Sequence, residues 1–240
     1  MKKFLFYLII IFCLVAFLSW DNFSVQRVFK KILYKSQATL LLSLEKELTV
    51  NLDMPFHRQE HALSCEIAVL KMVLDYYRVN LPESKLLEGL PFDTRESRSK
   101  ENIWGDPSLG FVGNIDGKSP NEGYGVYEQP IAQLASKYRQ AKILQQATLS
   151  DILQEVVKKH PVIVWGSVNS GKDISWKTKE GKKIKAVFGE HARVVTGFSG
   201  TISNPKSILL LDPIYGARIF SKDKFLNDWA LLDNKAVVVY

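Results

Sequence analysis

Gln59-Glu60-His61-Ala62-Leu63-Ser64-Cys65-Glu66-Ile67-Ala68-Val69-Leu70-Lys71-Met72-Val73-Leu74-Asp75-Tyr76-Tyr77 runs from a polar approach into an apolar helix. Cys65, Ala68, Val69, Met72, Val73 and Tyr76 fall on one helical face, and Ile67, Leu70 and Leu74 fill a second. That pattern predicts a helix over 64–77, buried on most sides. Ser64 is placed to cap it. Cys65 then sits in the first turn, where the backbone dipole favours a thiolate. The same position also suits an inert core cysteine, a common occupant of buried helices.

Outward from this helix, Pro82 to Leu90 reads as a short helix. Residues 92–127, with six glycines and two prolines, read as a long loop, a length that is usually functional or mobile. Two more helices follow, over 128–139 and 148–160. The period then changes. Short β-branched runs at 161–168, 191–198, 207–212, 217–221 and 236–240 read as strands, with a helix over 222–232 among them. Helices first and antiparallel strands late make an α+β protein. The 240 residues hold 46% hydrophobic and 24% charged side chains, enough for one mid-sized domain behind a leading apolar segment.

Three residues outside the helix change the reading of Cys65. Gln59, six positions upstream, can offer an amide to a developing oxyanion beside the Cys65 N–H. His191 begins the strand of Gly189-Glu190-His191-Ala192-Arg193-Val194-Val195, and Asp212 ends Leu209-Leu210-Leu211-Asp212-Pro213. In an antiparallel hairpin, pairing His191 with Asp212 puts the turn at Ser199 to Pro205, a polar segment with turn composition. The carboxylate can then accept from one ring nitrogen and leave the other for the thiol.

Gln-x5-Cys at a helix start, Gly-x-His-x-x-Val-Val, and an apolar strand ending in Asp-Pro resemble the papain-like cysteine peptidases. Within them the text is similar to the family 39 type, the bacteriocin-processing double-glycine peptidases and their stand-alone relatives. Met54-Pro55-Phe56-His57-Arg58-Gln59, Gly123-Tyr124-Gly125-Val126-Tyr127 and His160-Pro161-Val162-Ile163-Val164-Trp165 support this. The resemblance spans Leu52 to the C-terminus. It implies a papain-like fold over 51–240, N-terminal helices packed on a C-terminal antiparallel sheet, acting on a peptide or protein substrate. Carried over, Cys65 is the nucleophile, His191 the general base and acid, Asp212 its orienter and Gln59 the oxyanion donor; no metal or organic cofactor is implied. Two departures stand out. The chain carries no transporter domains of the kind that deliver leader peptides. Glu66 follows the cysteine where many relatives have a small residue, and a charge there opposes thiolate formation. The alternatives are a non-catalytic papain-like binding module at the cell surface, and a thiol amidase or acyltransferase on a non-protein substrate.

Lys2 and Lys3 precede Phe4 to Trp20, 17 residues without a charge. As a helix they would span roughly 25 Å, close to a bilayer's hydrocarbon core. Residues 1–20 therefore read as a transmembrane anchor with the catalytic domain outside the cell membrane, or else as a signal peptide of a secreted protein. Residues 21–50 read as an amphipathic helical linker, with Val25, Val28, Phe29, Ile32 and Leu33 on one face. Residues 1–50 hold seven of the 32 Lys and Arg but three of the 25 Asp and Glu. Much of the net charge of +7 thus lies beside the apolar segment, which points to a membrane surface and against nucleic acid. Gly166 to Asp173 nearly fits a phosphate-binding loop but ends in Asp173 where a hydroxyl is required, so no nucleotide is expected; it reads as a flexible loop at the cleft rim. Asn114 to Gly117 fails the spacing of a calcium loop. His57 and His61, four apart, lack an evident third metal ligand. The oligomeric state is not encoded in any motif.

Overall fold

A computed structural model describes residues 47–169 and 171–240, together with Arg27, Val28 and Lys31. The chain divides into two units, residues 1–46 and Glu47–Tyr240. The apolar segment 1–20 lies outside the described residues. Of the linker expected to be helical over 21–50, Arg27, Val28 and Lys31 are helical, while residues 48–50 are strand. Among the described residues no helix is long and apolar enough to cross a membrane.

The second unit is α+β. Strand β1 (Leu48–Asn51) precedes helices α1 (Cys65–Tyr76) and α2 (Glu83–Gly89). Short strands β2 (Phe92–Thr94) and β3 (Phe111–Val112) pair in parallel inside the segment expected to be loop. Then come α3 (Glu128–Ser136), β4 (Ala141–Ile143), α4 (Leu149–Val157) and β5 (Val162–Ser167). Strands β6 (Asp173–Lys177) and β7 (Lys183–Val187) form a separate antiparallel hairpin in a stretch to which sequence assigned no element, and Gly166 and Ser167, expected in a flexible loop, belong to β5. The chain ends with β8 (Glu190–Gly200), β9 (Pro205–Asp212), β10 (Gly216–Ser221), α5 (Lys222–Ala230) and β11 (Ala236–Val239).

The main sheet has the order β10-β9-β8-β5-β11-β4. Strand β8 is its organiser. Its first half pairs with β5, Gly166 facing His191 and Val162 facing Val195. Its last four residues pair with β1, Asn51 facing Gly197 and Leu48 facing Gly200. Both faces of the sheet are covered, so its strands read as continuous apolar runs rather than as alternation. Alternation reappears in how side chains divide between two cores. Ile163, Trp165, Ala192, Val194, Val237 and Val239 pack with α1 and α3. Val162, Val164, Val195, Ala236 and Val238 pack with α4 and α5.

The local signals explain the helices. Thr148 accepts from the Asp151 N–H, and Asp151 accepts from the Thr148 N–H, a closed capping box that starts α4. Ser64 precedes α1 as expected, but its hydroxyl does not cap. It accepts the His61 N–H at 3.1 Å and so turns the approach loop back on itself.

The β8–β9 hairpin exists, but its register differs from the expected one. Val194 faces Leu211, and one step further brings Asp212 level with Arg193 rather than His191. The turn moves it: the strands run on to Gly200 and Pro205, which centres the turn one position later, while the irregularities at Val195/Gly197 and Ser199/Gly200 offset each other.

Candidate active site

Cys65 opens α1 and is 4% exposed. Its sulfur accepts the Ala192 N–H at 3.4 Å, which ties the start of α1 to the start of β8. Its S–H donates to Glu66 Oε2 at 3.1 Å. Glu66 is fully buried; its other oxygen accepts the Val126 N–H at 2.6 Å. Its carboxyl is set beside that of Glu190, the first residue of β8, and two carboxyl groups so placed can bond only when one is protonated. Polar atoms of Cys65, Glu66 and Glu190 lie within 4.8 Å of one another. Gly125 makes room for them: at φ +152° it stands where a Cβ would run into Glu190 Oε2 and come within 2.6 Å of Glu66 Oε1.

The electrostatics follow from this crowding. Burial pushes the Cys65 thiol well above its ordinary range, and the charges of Glu66 and Glu190 push it further. Burial raises Glu66 to about 7 against the pull of the Val126 N–H. Glu190 is raised by burial and by the Glu66 charge. The helix-dipole argument thus loses to desolvation and two acids.

His191 and Asp212 meet. His191 Nε2 stands 3.0 Å from Asp212 Oδ2, with both side chains buried. The N–H is poorly aligned along that line, because Nε2 has no hydrogen-bond partner of good geometry. Arg193 Nε takes the same Oδ2 at 2.8 Å, while its Nη1 reaches Asp228 on α5. Asp212 Oδ1 accepts the Ile214 and Tyr215 N–H groups. Burial lowers the His191 pKa, with Arg193 adding to it and Asp212 opposing; the ring is neutral at neutral pH. Against its own burial, the contact with His191 and the two backbone bonds hold Asp212 well below the usual carboxylate range.

The thiol and the imidazole are not hydrogen-bonded to each other among the described residues. By the pleat of β8, Glu190 and Ala192 turn to the face of α1, while His191 and Arg193 belong to the opposite set. Gln59 is also occupied. Its Nε2 donates to the carbonyls of His61 at 2.8 Å and Ala62 at 3.0 Å, and its Oε1 is buried without a partner. The four residues singled out by sequence therefore fall into a His191–Asp212 pair, a Cys65 held by two acids, and a Gln59 holding its own loop. Glu190 and Arg193 were missed as site members. Both lie within two positions of His191, and the strand alternation was the signal that could have separated them.

The remaining histidines pair locally. His57 Nε2 contacts Glu83 at 2.7 Å and Glu60 at 3.6 Å; His61 Nδ1 contacts Asp116 at 3.0 Å. A cleft of about 600 Å³ lies elsewhere, lined by Asp93, Trp104, Asp106, Lys179 and Lys182 among others. It is lined by none of the four candidate residues.

Residues 51–237 match the Peptidase_C39 like family. The chain belongs to this family. Among curated proteins it is 30% identical over 223 residues to the uncharacterized protein YvpB of Bacillus subtilis, covering 88% of this chain and 85% of that one. Among solved structures, a Bacillus anthracis protein described as a C39-like peptidase superposes with a TM-score of 0.69 at 25% identity, covering 80% of this chain and 98% of that one. The Peptidase_C39 like assignment agrees with the resemblance read from the motifs around Cys65, His191 and Asp212, and with a mixed fold built on an antiparallel sheet. It points to the cysteine peptidase class.

Proposed function

We propose that the protein is a cysteine peptidase in which Cys65 attacks a peptide carbonyl. Its proton passes to His191, Asp212 orients the imidazole, and Gln59 with the Cys65 N–H receives the oxyanion. An acyl-enzyme forms as the C–N bond breaks, His191 returns the proton to the leaving amine, and water attack frees the thiol. The reading rests chiefly on one contact, the Ala192 N–H to the Cys65 sulfur at 3.4 Å. It brings the helix that starts at the candidate nucleophile against the residue that follows His191. The neutral ring of His191 supports it too, since a base must be free to take a proton. Turnover requires Gln59 and the thiol to leave their present hydrogen bonds, and the thiol and His191, set by the pleat of β8 on different faces, to be brought within reach of each other. We further propose that residues 1–20 hold the protein at the cell membrane with the peptidase domain outside, secretion being the alternative; intact mass and membrane extraction of the expressed chain decide between them.

One observation favours a second reading, the quiescent binding module: the thiol is sealed and held protonated. Hydrolysis of a peptide library separates the two. Cys65→Ser is expected to abolish turnover, and His191→Ala to reduce it by about 10²- to 10⁴-fold. Turnover that survives Cys65→Ser, or wild-type protein that binds peptides and never cleaves them, ends the peptidase reading.

A further inference from the structure

Glu66 and Glu190 have no part in that reaction, yet Glu66 takes the thiol proton at 3.1 Å and a Glu190 oxygen lies within 4.8 Å of the sulfur. A carboxyl pair fully enclosed beside a nucleophile is expensive to maintain, because each charge is removed from water. The chain is built around it: Gly125 leaves space for both carboxyls, the Val126 N–H fixes one oxygen of Glu66, and the thiol proton itself lies on the other. Glu190 Oε1 is buried with no partner.

We propose that Glu66, tied to Glu190, is the positioning residue that governs Cys65: it holds the sulfur as a thiol and directs its proton away from the imidazole. This rests on the reading of Cys65 as nucleophile, and it names what restrains that nucleophile. The charged groups that act on the sulfur are Glu66 on its own helix and Glu190 on β8, and Glu190 in turn acts on Tyr124 and Tyr127 on the neighbouring segment. Arg193 acts on Glu190 from further along β8, and His191 lies between them in sequence. Burial raises both tyrosines and both carboxyls, Glu66 to about 7, and the charges that raise the thiol are those of Glu66 and Glu190. Electrostatic restraint of the thiolate therefore comes from Glu66 and Glu190.

The test is the rate at which iodoacetamide alkylates Cys65 in the full chain in detergent, read by peptide mapping so that the other cysteine, Cys13, is scored separately, from about pH 6 upward until the wild-type rate levels off. Glu66→Gln is expected to alkylate at least about tenfold faster at neutral pH, with the midpoint of the rate profile moved down by about one pH unit. Glu190→Gln is expected to shift it in the same direction. A midpoint shift distinguishes charge from mere loosening, which would raise the rate at every pH and leave the midpoint in place. Slower alkylation, or an unmoved midpoint in both variants, overturns the proposal. If Glu66→Gln loses its cooperative thermal transition, Glu190→Gln alone decides. Alkylation needs no turnover, so a chain that cleaves no peptide yet shows the shift loses the peptidase reading and keeps this one.

Discussion

Gly125 is the residue on which the site's geometry turns most directly. Gly125→Ala would place a methyl group against both buried carboxyls, and overpacking of this kind costs about 1–3 kcal/mol. Urea denaturation is expected to show that loss, with the surrounding fold intact by circular dichroism. At this scale much was legible. Cys65, His191 and Asp212 stand at element ends, and a helix start, a strand start and an Asp-Pro stop all leave marks in sequence. The Glu66–Glu190 pair left none. Next to a cysteine, a glutamate reads as a liability, and its partner lies on a distant strand. Only the folded chain shows that the two carboxyls are buried side by side.

Among the elements, β1 depends on the smallest side chain in β8. A Cβ on Gly197 would meet the Val50 carbonyl oxygen and come within 3.0 Å of Asn51 Cα. Gly197→Ala is therefore expected to detach β1, seen as rapid proteolysis near residues 47–52 together with a lower denaturation midpoint. The long helices and the buried strands were readable because their periods are strong. Strand β1 was not, since Leu48–Asn51 is short and continues a segment with helical spacing. The β6–β7 hairpin was hidden by its charges: Lys183 and Lys185 face water while Ile184 and Ala186 face the core. The β8–β9 register missed because a turn's composition locates it only to within a residue or two, and one position is enough to move Asp212 from His191 to Arg193.

Across the molecule, two sets of buried groups push stability in opposite directions with pH. Glu66 is raised from 4.5 to about 7, so its contribution is full below about 4.5 and is lost as pH rises through about 7. Glu190 acts in the same sense. Asp212 and His191 are lowered, so they contribute above their unfolded values and the contribution is lost as pH falls through the folded ones. Thermal transitions are expected to peak in mildly acidic solution, falling toward alkaline pH in the wild type and less steeply in Glu66→Gln. A flat profile on the alkaline side would remove the buried pair from this account.

The way β1 enters the sheet has a mechanical side. Leu48 to Asn51 are laced antiparallel onto the end of β8, on the edge that β5 vacates. Any tension applied to the chain ahead of Glu47 is therefore delivered first to that four-residue ladder, and through it to the strand whose opening residues touch the sulfur. That load would run back along β8 toward the residues beside the sulfur and, at the same time, across to β9, which is paired with the same end of β8.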